Sequence, residues 1–181
     1  MAKSFAKSGY AVDFYTCNTY LVNISFSDAA IRIYDIKNAR HTSPNFLQKS
    51  ACSASNWIKK ILKTLLPISL QTSHEESALR VAVEKYAVSI ESIACRQRYA
   101  YLIGVEPLGM MAACMLAPKL NAPFIYYNME LHSCSDIISA NEWALKNIER
   151  RFHRKALFTI TQDKERAGVM ACENDIAMDT F

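Results

Sequence analysis

Between residues 99 and 171 short apolar runs alternate with stretches of helical period, and this alternation constrains the fold more than any other feature of the 181-residue chain. The runs YAYLIGV (99–105), FIYYNM (124–129) and LFTIT (157–161) are almost wholly apolar or aromatic, as suits parallel strands covered on both faces. Between them lie LGMMAACMLAPK (108–119), loosened by Pro118, and the basic segment 142–155, with Asn141 as its expected cap. Residues 162–171 open a further helix. Upstream, 74–97 predicts a long helix, with Glu75 and Glu76 in its first turn and a stripe of Leu79, Ala82, Val83, Tyr86, Ile90 and Ile93. The resulting β-α-β-α-β-α order predicts an α/β fold built on a doubly wound, mostly parallel, Rossmann-like sheet.

The amino-terminal third predicts the same architecture entered partway. Residues 1–8 read as the last turns of a helix closed by Ser8-Gly9, where glycine takes the left-handed conformation of a C-cap. Strands follow at 11–17 (AVDFYTC) and 29–36 (AAIRIYDI). An alternating domain normally opens on a strand, so a chain that opens on a helix is expected to lack the first one. The whole of 1–181 is then expected to be one domain, or part of one.

Composition removes several function classes. The chain holds 4 glycines, where average usage of about 7% would give about a dozen. None forms a G-x-G-x-x-G or Walker loop, so a self-contained dinucleotide or P-loop site is not expected. The 6 cysteines are scattered without zinc spacing, which predicts reduced thiols and no metal centre. The start shows no apolar secretory core, and the most apolar window, 99–117, is broken by Glu106 and Pro107. A cytoplasmic protein that does not cross a bilayer is expected. The net charge of +4 is mild, and no RNP, helix-turn-helix or finger signature accompanies it, so nucleic acid is not an expected partner.

In open α/β sheets ligands bind beyond the carboxyl ends of the strands. Three such places stand out. Glu106 follows YAYLIGV, Asn128, Met129, Glu130 and His132 follow FIYY, and Thr161 and Gln162 follow LFTI. A carboxylate and an imidazole on one loop suit proton transfer or binding of sugar hydroxyls near neutral pH, which makes Glu130 and His132 candidate catalytic residues. The competing reading has Glu130 capping backbone or pairing with an arginine, His132 in solvent, and Glu106 capping the next helix. Lys146, Arg150, Arg151, His153, Arg154 and Lys155 crowd the end of the 142–155 helix, where the dipole alone favours cations and a phosphate site is the sharper alternative. Residues 55–66 (SNWIKKILKTLL) make a basic amphipathic helix, with Trp57, Lys59, Lys60 and Lys63 as candidates for docking on an anionic membrane surface. Plain packing with solvated lysines is its alternative.

Two segments, VEPLGMMAACMLAPKLNAPFIYYNMELH and NEWALKNIERRFHRKALFTITQDKERA, together with AKSGYAVDFYTC near the start, resemble the amino-terminal Rossmann-like domain of family-4 glycosyltransferases of the GT-B fold. The resemblance spans most of the chain and is strongest from 99 to 167. It implies one GT-B lobe that holds the acceptor, with a nucleotide-sugar donor bound mainly by a second domain absent here. It further implies hexose transfer to a lipid or polysaccharide acceptor, no cofactor beyond the nucleotide-sugar substrate, and peripheral attachment to the inner membrane face. Many relatives carry a His-Glu pair after the fifth strand. Here Met129-Glu130 stands there, so Glu130 matches and the histidine does not. By their place just past the strands, Glu106, Asn128, Met129, Thr161 and Gln162 are the expected substrate-binding positions. The class opposed to this enzyme is a catalytically silent α/β binding or scaffold protein.

Overall fold

The computed structural model describes residues 1–16, 29–36 and 68–181. They belong to two compact units, 1–46 and 47–181.

In the first unit, helix α1 (Ala2–Lys7) ends at Gly9, whose φ of 86° only glycine adopts freely. Strands β1 (Val12–Thr16) and β2 (Ile31–Asp35) pair in parallel, close to the two expected runs. The register explains two side-chain contacts. Tyr15 lies opposite Tyr34, and their rings stack at 4.9 Å; Asp13 lies opposite Arg32, whose Nε donates to Asp13 Oδ1 at 2.6 Å.

The second unit carries the longer alternation. Helix α2 (Ile68–Ala94) leads to β3 (Leu102–Val105), α3 (Glu106–Leu120), β4 (Phe124–Tyr127), α4 (Ala140–His153), β5 (Thr159–Ile160) and α5 (Lys164–Asn174), with a closing 3-10 turn at Met178–Thr180. The strands form a parallel sheet in the order β3-β4-β5. Spatial order follows chain order, so two right-handed crossovers put α3 and α4 on the same side of the sheet. The two helices contact each other, and α2 packs on both. The chain is thus α/β with parallel strands, as its alternation predicts, and is compatible with a Rossmann-like fold.

Met110, Phe124, Tyr126 and Met170 form the core between sheet and helices, while Val83, Met111, Ala112 and Ile148 fill the junction of α2, α3 and α4. Each large apolar side chain buried this fully contributes roughly 1.5–3 kcal/mol. At Gly104 the sheet and α3 meet backbone to backbone. A Cβ there would stand 2.4 Å from Met110 Cα and 2.7 Å from the Gly109 carbonyl oxygen. Glycine is required by this approach.

Several expected boundaries shift for identifiable reasons. α2 begins at Ile68, six residues before the expected start. α3 begins directly on Glu106, and Pro118 sits inside its last turn. The cap of α4 is Ser139, not Asn141: Ser139 Oγ accepts from Glu142 N at 3.2 Å while Glu142 Oε2 accepts from Ser139 N at 2.9 Å. This reciprocal S-x-x-E box satisfies two backbone donors, which a cap at Asn141 would leave open. Gln162 precedes α5, whose cap is Asp163, accepting from Arg166 N at 2.7 Å. The 55–66 segment, with Trp57, Lys59, Lys60 and Lys63, lies outside the described residues. No helix among the described residues is long and apolar enough to cross a membrane.

Candidate functional site

The carboxyl ends of β3, β4 and β5 bring Glu106, the 128–132 loop and Thr161–Gln162 to one edge of the sheet. How the loop is held follows from what each neighbour offers it. Glu106 takes a φ of 58° at the abrupt turn from β3 into α3, a conformation that costs a side-chain-bearing residue of the order of 1–3 kcal/mol. The turn sets its carboxyl against the next strand's exit. Oε1 accepts from Met129 N at 2.8 Å and from Glu130 N at 3.2 Å. Burial pushes the Glu106 carboxyl above its ordinary range, against the pull of those two amides and of His132.

From the other side, the Gln162 amide donates to the Met129 carbonyl, and Arg166 Nη1 donates to the same oxygen at 3.1 Å and to Gln162 Oε1 at 3.0 Å. Thr161 Oγ1 donates to Gln162 Oε1 at 3.3 Å and lines a hollow of about 590 Å³ along β5 with Lys164 and Phe181. Asn128, fully buried, donates through Nδ2 to Tyr126 Oη at 3.0 Å and to the Glu130 carbonyl at 2.9 Å. The N–H and C=O groups of both Met129 and Glu130 are therefore held.

Of the sequence-predicted positions, Glu106, Asn128 and Gln162 spend polar atoms on the loop itself, and Met129 contributes its backbone while its side chain is exposed. Glu130 is exposed at the crest, and His132 is half-buried within electrostatic reach of Glu106 and Glu142. The fold thus brings together all seven strand-end candidates: Glu106, Asn128, Met129, Glu130, His132, Thr161 and Gln162. Among the described residues no cluster of His, Cys, Asp or Glu is suited to a metal ion.

Beneath the loop runs a buried polar chain. Tyr126 Oη donates to Glu149 Oε1 at 2.8 Å, Lys146 Nζ donates to Glu149 Oε2 at 2.8 Å, and Lys146 also pairs with Glu173 Oε2 at 2.8 Å. Lys146 and Glu149 are 0% and 1% exposed, so each charge depends on its partners. Burial opposes ionisation of Glu173, yet Lys146 together with the Cys134 amide and the Ser133 hydroxyl holds its carboxyl below the usual range. Glu173 Oε1 accepts from both Ser133 Oγ and Cys134 N at 2.9 Å, tying the far end of the loop to α5. Burial raises the Tyr126 phenol, and the adjacent Glu149 adds to that, so it stays a proton donor.

A second buried set centres on His153. Asn174 Nδ2 donates to His153 Nδ1 at 2.9 Å, so the ring proton sits on Nε2, 2.6 Å from Thr159 Oγ1. The rings of Tyr126 and Phe181 stand edge-on to the imidazole at 4.9 and 5.7 Å. Burial, aided by nearby Lys146 and opposed by Glu149, lowers the imidazole to about 4.

Five of the six residues of the basic cluster at 146–155 make contacts within the protein. Lys146 and His153 are internal, Arg150 donates to the Glu173 carbonyl, Arg151 pairs with Glu76 on α2, and Arg154 pairs with Asp175. Sequence reasoning did not single out Tyr126, Glu149 and Glu173 as the partners beneath the loop. One signal was available: a tyrosine in a strand buried on both faces needs a partner for its hydroxyl. Arg166 had another, lying one turn after Gln162. No family model matches the chain, and no curated protein matches it either.

Proposed function

We propose that this chain is the acceptor-side lobe of a nucleotide-sugar-dependent glycosyltransferase, one that moves a hexose to a lipid or polysaccharide hydroxyl. The observation that carries the reading is the doubly braced 128–130 turn, which leaves Glu130 as an exposed carboxylate on a fixed backbone at the strand-end edge. A preplaced acceptor group of this kind raises rate by orientation. In the step it would serve, the acceptor oxygen bonds to the anomeric carbon while the bond to the diphosphate oxygen breaks. The hydroxyl proton passes to Glu130, with His132 alongside it, and a nucleoside diphosphate departs. The nucleotide-sugar is substrate, and a second lobe would bind most of it. Residence in the cytoplasm at the inner membrane face belongs to the same proposal, with Trp57, Lys59, Lys60 and Lys63 as the docking surface.

The natural-length protein, incubated with a panel of nucleotide-hexoses and membrane lipid or oligosaccharide acceptors, should release nucleoside diphosphate. Glu130→Ala should reduce that release at least tenfold while leaving the unfolding midpoint unchanged. Equal turnover by the variant removes Glu130 from the reaction, and no turnover of any donor sinks the enzyme reading. The internal use of Glu106, Asn128 and Gln162 supports a second reading, a silent α/β binding lobe, which predicts glycan binding without diphosphate release.

A further inference from the structure

Two buried acceptor oxygens at the strand-end edge have no donor among the described residues: Glu106 Oε2 and Asn128 Oδ1. They belong to neighbouring positions. Val105 pairs with Tyr127 at the last rung of β3 and β4, and Glu106 and Asn128 are the residues that follow them. Both side chains also bind the same turn, Glu106 through the amides of Met129 and Glu130, Asn128 through the Glu130 carbonyl.

The Asn128 amide cannot be turned over to relieve its oxygen. Its two N–H groups already serve Tyr126 Oη and the Glu130 carbonyl, and the Tyr126 proton is committed to Glu149 Oε1. Rotation would set acceptor against acceptor at both contacts. A buried acceptor without a donor costs about 1–3 kcal/mol, more when it is charged.

We propose that Glu106 carries a proton on Oε2 and donates it to Asn128 Oδ1, so that a neutral carboxyl latches the 128–132 loop to the end of β3. One proton then closes the hydrogen-bond inventory: Oε1 keeps both backbone donors, and each orphaned oxygen gains its partner. Glu106 is in this role a positioning residue that fixes Glu130 without touching substrate. The groups facing it act in both directions. Glu130 favours the proton, His132 opposes it, and the Tyr126 phenol on β4 is neutral, with the Glu149–Lys146 pair behind it. Burial is the largest influence and favours the neutral carboxyl. The inference concerns how the loop is held and does not depend on the glycosyl-transfer reading.

The sign is fixed by linkage. A carboxyl whose folded value is raised contributes stability fully below its unfolded value and loses it as pH rises through the folded one. Glu106→Gln copies the protonated acid in shape and donors. The variant should therefore match the native chain in urea unfolding at acid pH and exceed it at and above neutrality. Carbon-13 titration of the glutamate carboxyls of the full chain should show one resonance, missing in E106Q, with a midpoint above 4.5. A Glu106 midpoint at or below 4.5, or an E106Q chain less stable than the native one at every pH, overturns the latch. If E106Q does not fold, the titration of the native chain decides alone.

Discussion

Acidification should unlock the protein at His153 before it protonates most carboxylates. The imidazole is fully buried, its Nδ1 already accepts from Asn174 Nδ2, and Lys146 lies close enough to disfavour a second proton. Its value falls from 6.5 to about 4 on folding. Each tenfold change in proton affinity is worth about 1.4 kcal/mol, so this site contributes roughly 3 kcal/mol of stability in the neutral state. Because the folded value is depressed, that contribution is complete above pH 6.5 and drains away as pH falls towards 4. By about pH 5 roughly 2 kcal/mol is gone, a large part of the stability of an ordinary domain. Urea unfolding followed from about pH 7 to pH 4.5 measures the loss, and His153→Gln removes the titrating group so that other carboxyls can be subtracted. Proton NMR of the imidazole adds a direct reading: the His153 ring signal should hold still from pH 7 to about pH 5. A ring that titrates near 6.5, or native and variant curves of equal slope over that interval, refutes the reasoning.

Two further outcomes follow from the packing. Lys146→Met leaves Glu149 and Glu173 facing each other without their shared cation, so denaturant unfolding should show a loss of about 3–5 kcal/mol, as for a buried pair stripped of one partner; a loss under about 1 kcal/mol contradicts the chain of contacts beneath the loop. Gly104→Ala drives a methyl group into the backbone at Met110 and Gly109 and should cost at least about 1–3 kcal/mol by forcing the α3 backbone to shift; an unchanged melting midpoint contradicts the close approach.

The order of strands and helices was legible in the sequence because burial on both faces leaves continuous apolar runs, and 99–105, 124–129 and 157–161 each contain one of the three strands. Their ends were less legible. Met129 extends the apolar look of FIYY past Asn128, but the ladder stops at Tyr127 and Met129 turns out to meet Glu106 and Gln162. The Ser139 cap was readable from S-x-x-E, yet Asn141 is an equally good cap by residue type and stands nearer the basic run. Pairings across more than twenty positions, such as Glu106 with Met129 or Tyr126 with Glu149, depend on the register of β3 against β4 and on the tilt of α4. No local pattern encodes either. The cations of α4 show the same limit: six basic residues look like one surface patch in the sequence, whereas the helix directs Lys146 and His153 inward and Arg151 and Arg154 to separate acidic partners.

The backbone contact at Gly104 also determines where the sheet edge has slack. β3 passes into α3 with no intervening loop, and the crossing leaves no room for even a methyl group, so strand and helix must travel as one piece. Any breathing that admits a ligand to this edge therefore falls to the stretch between β4 and α4, whose ties to its neighbours are side-chain hydrogen bonds and not a shared backbone crossing.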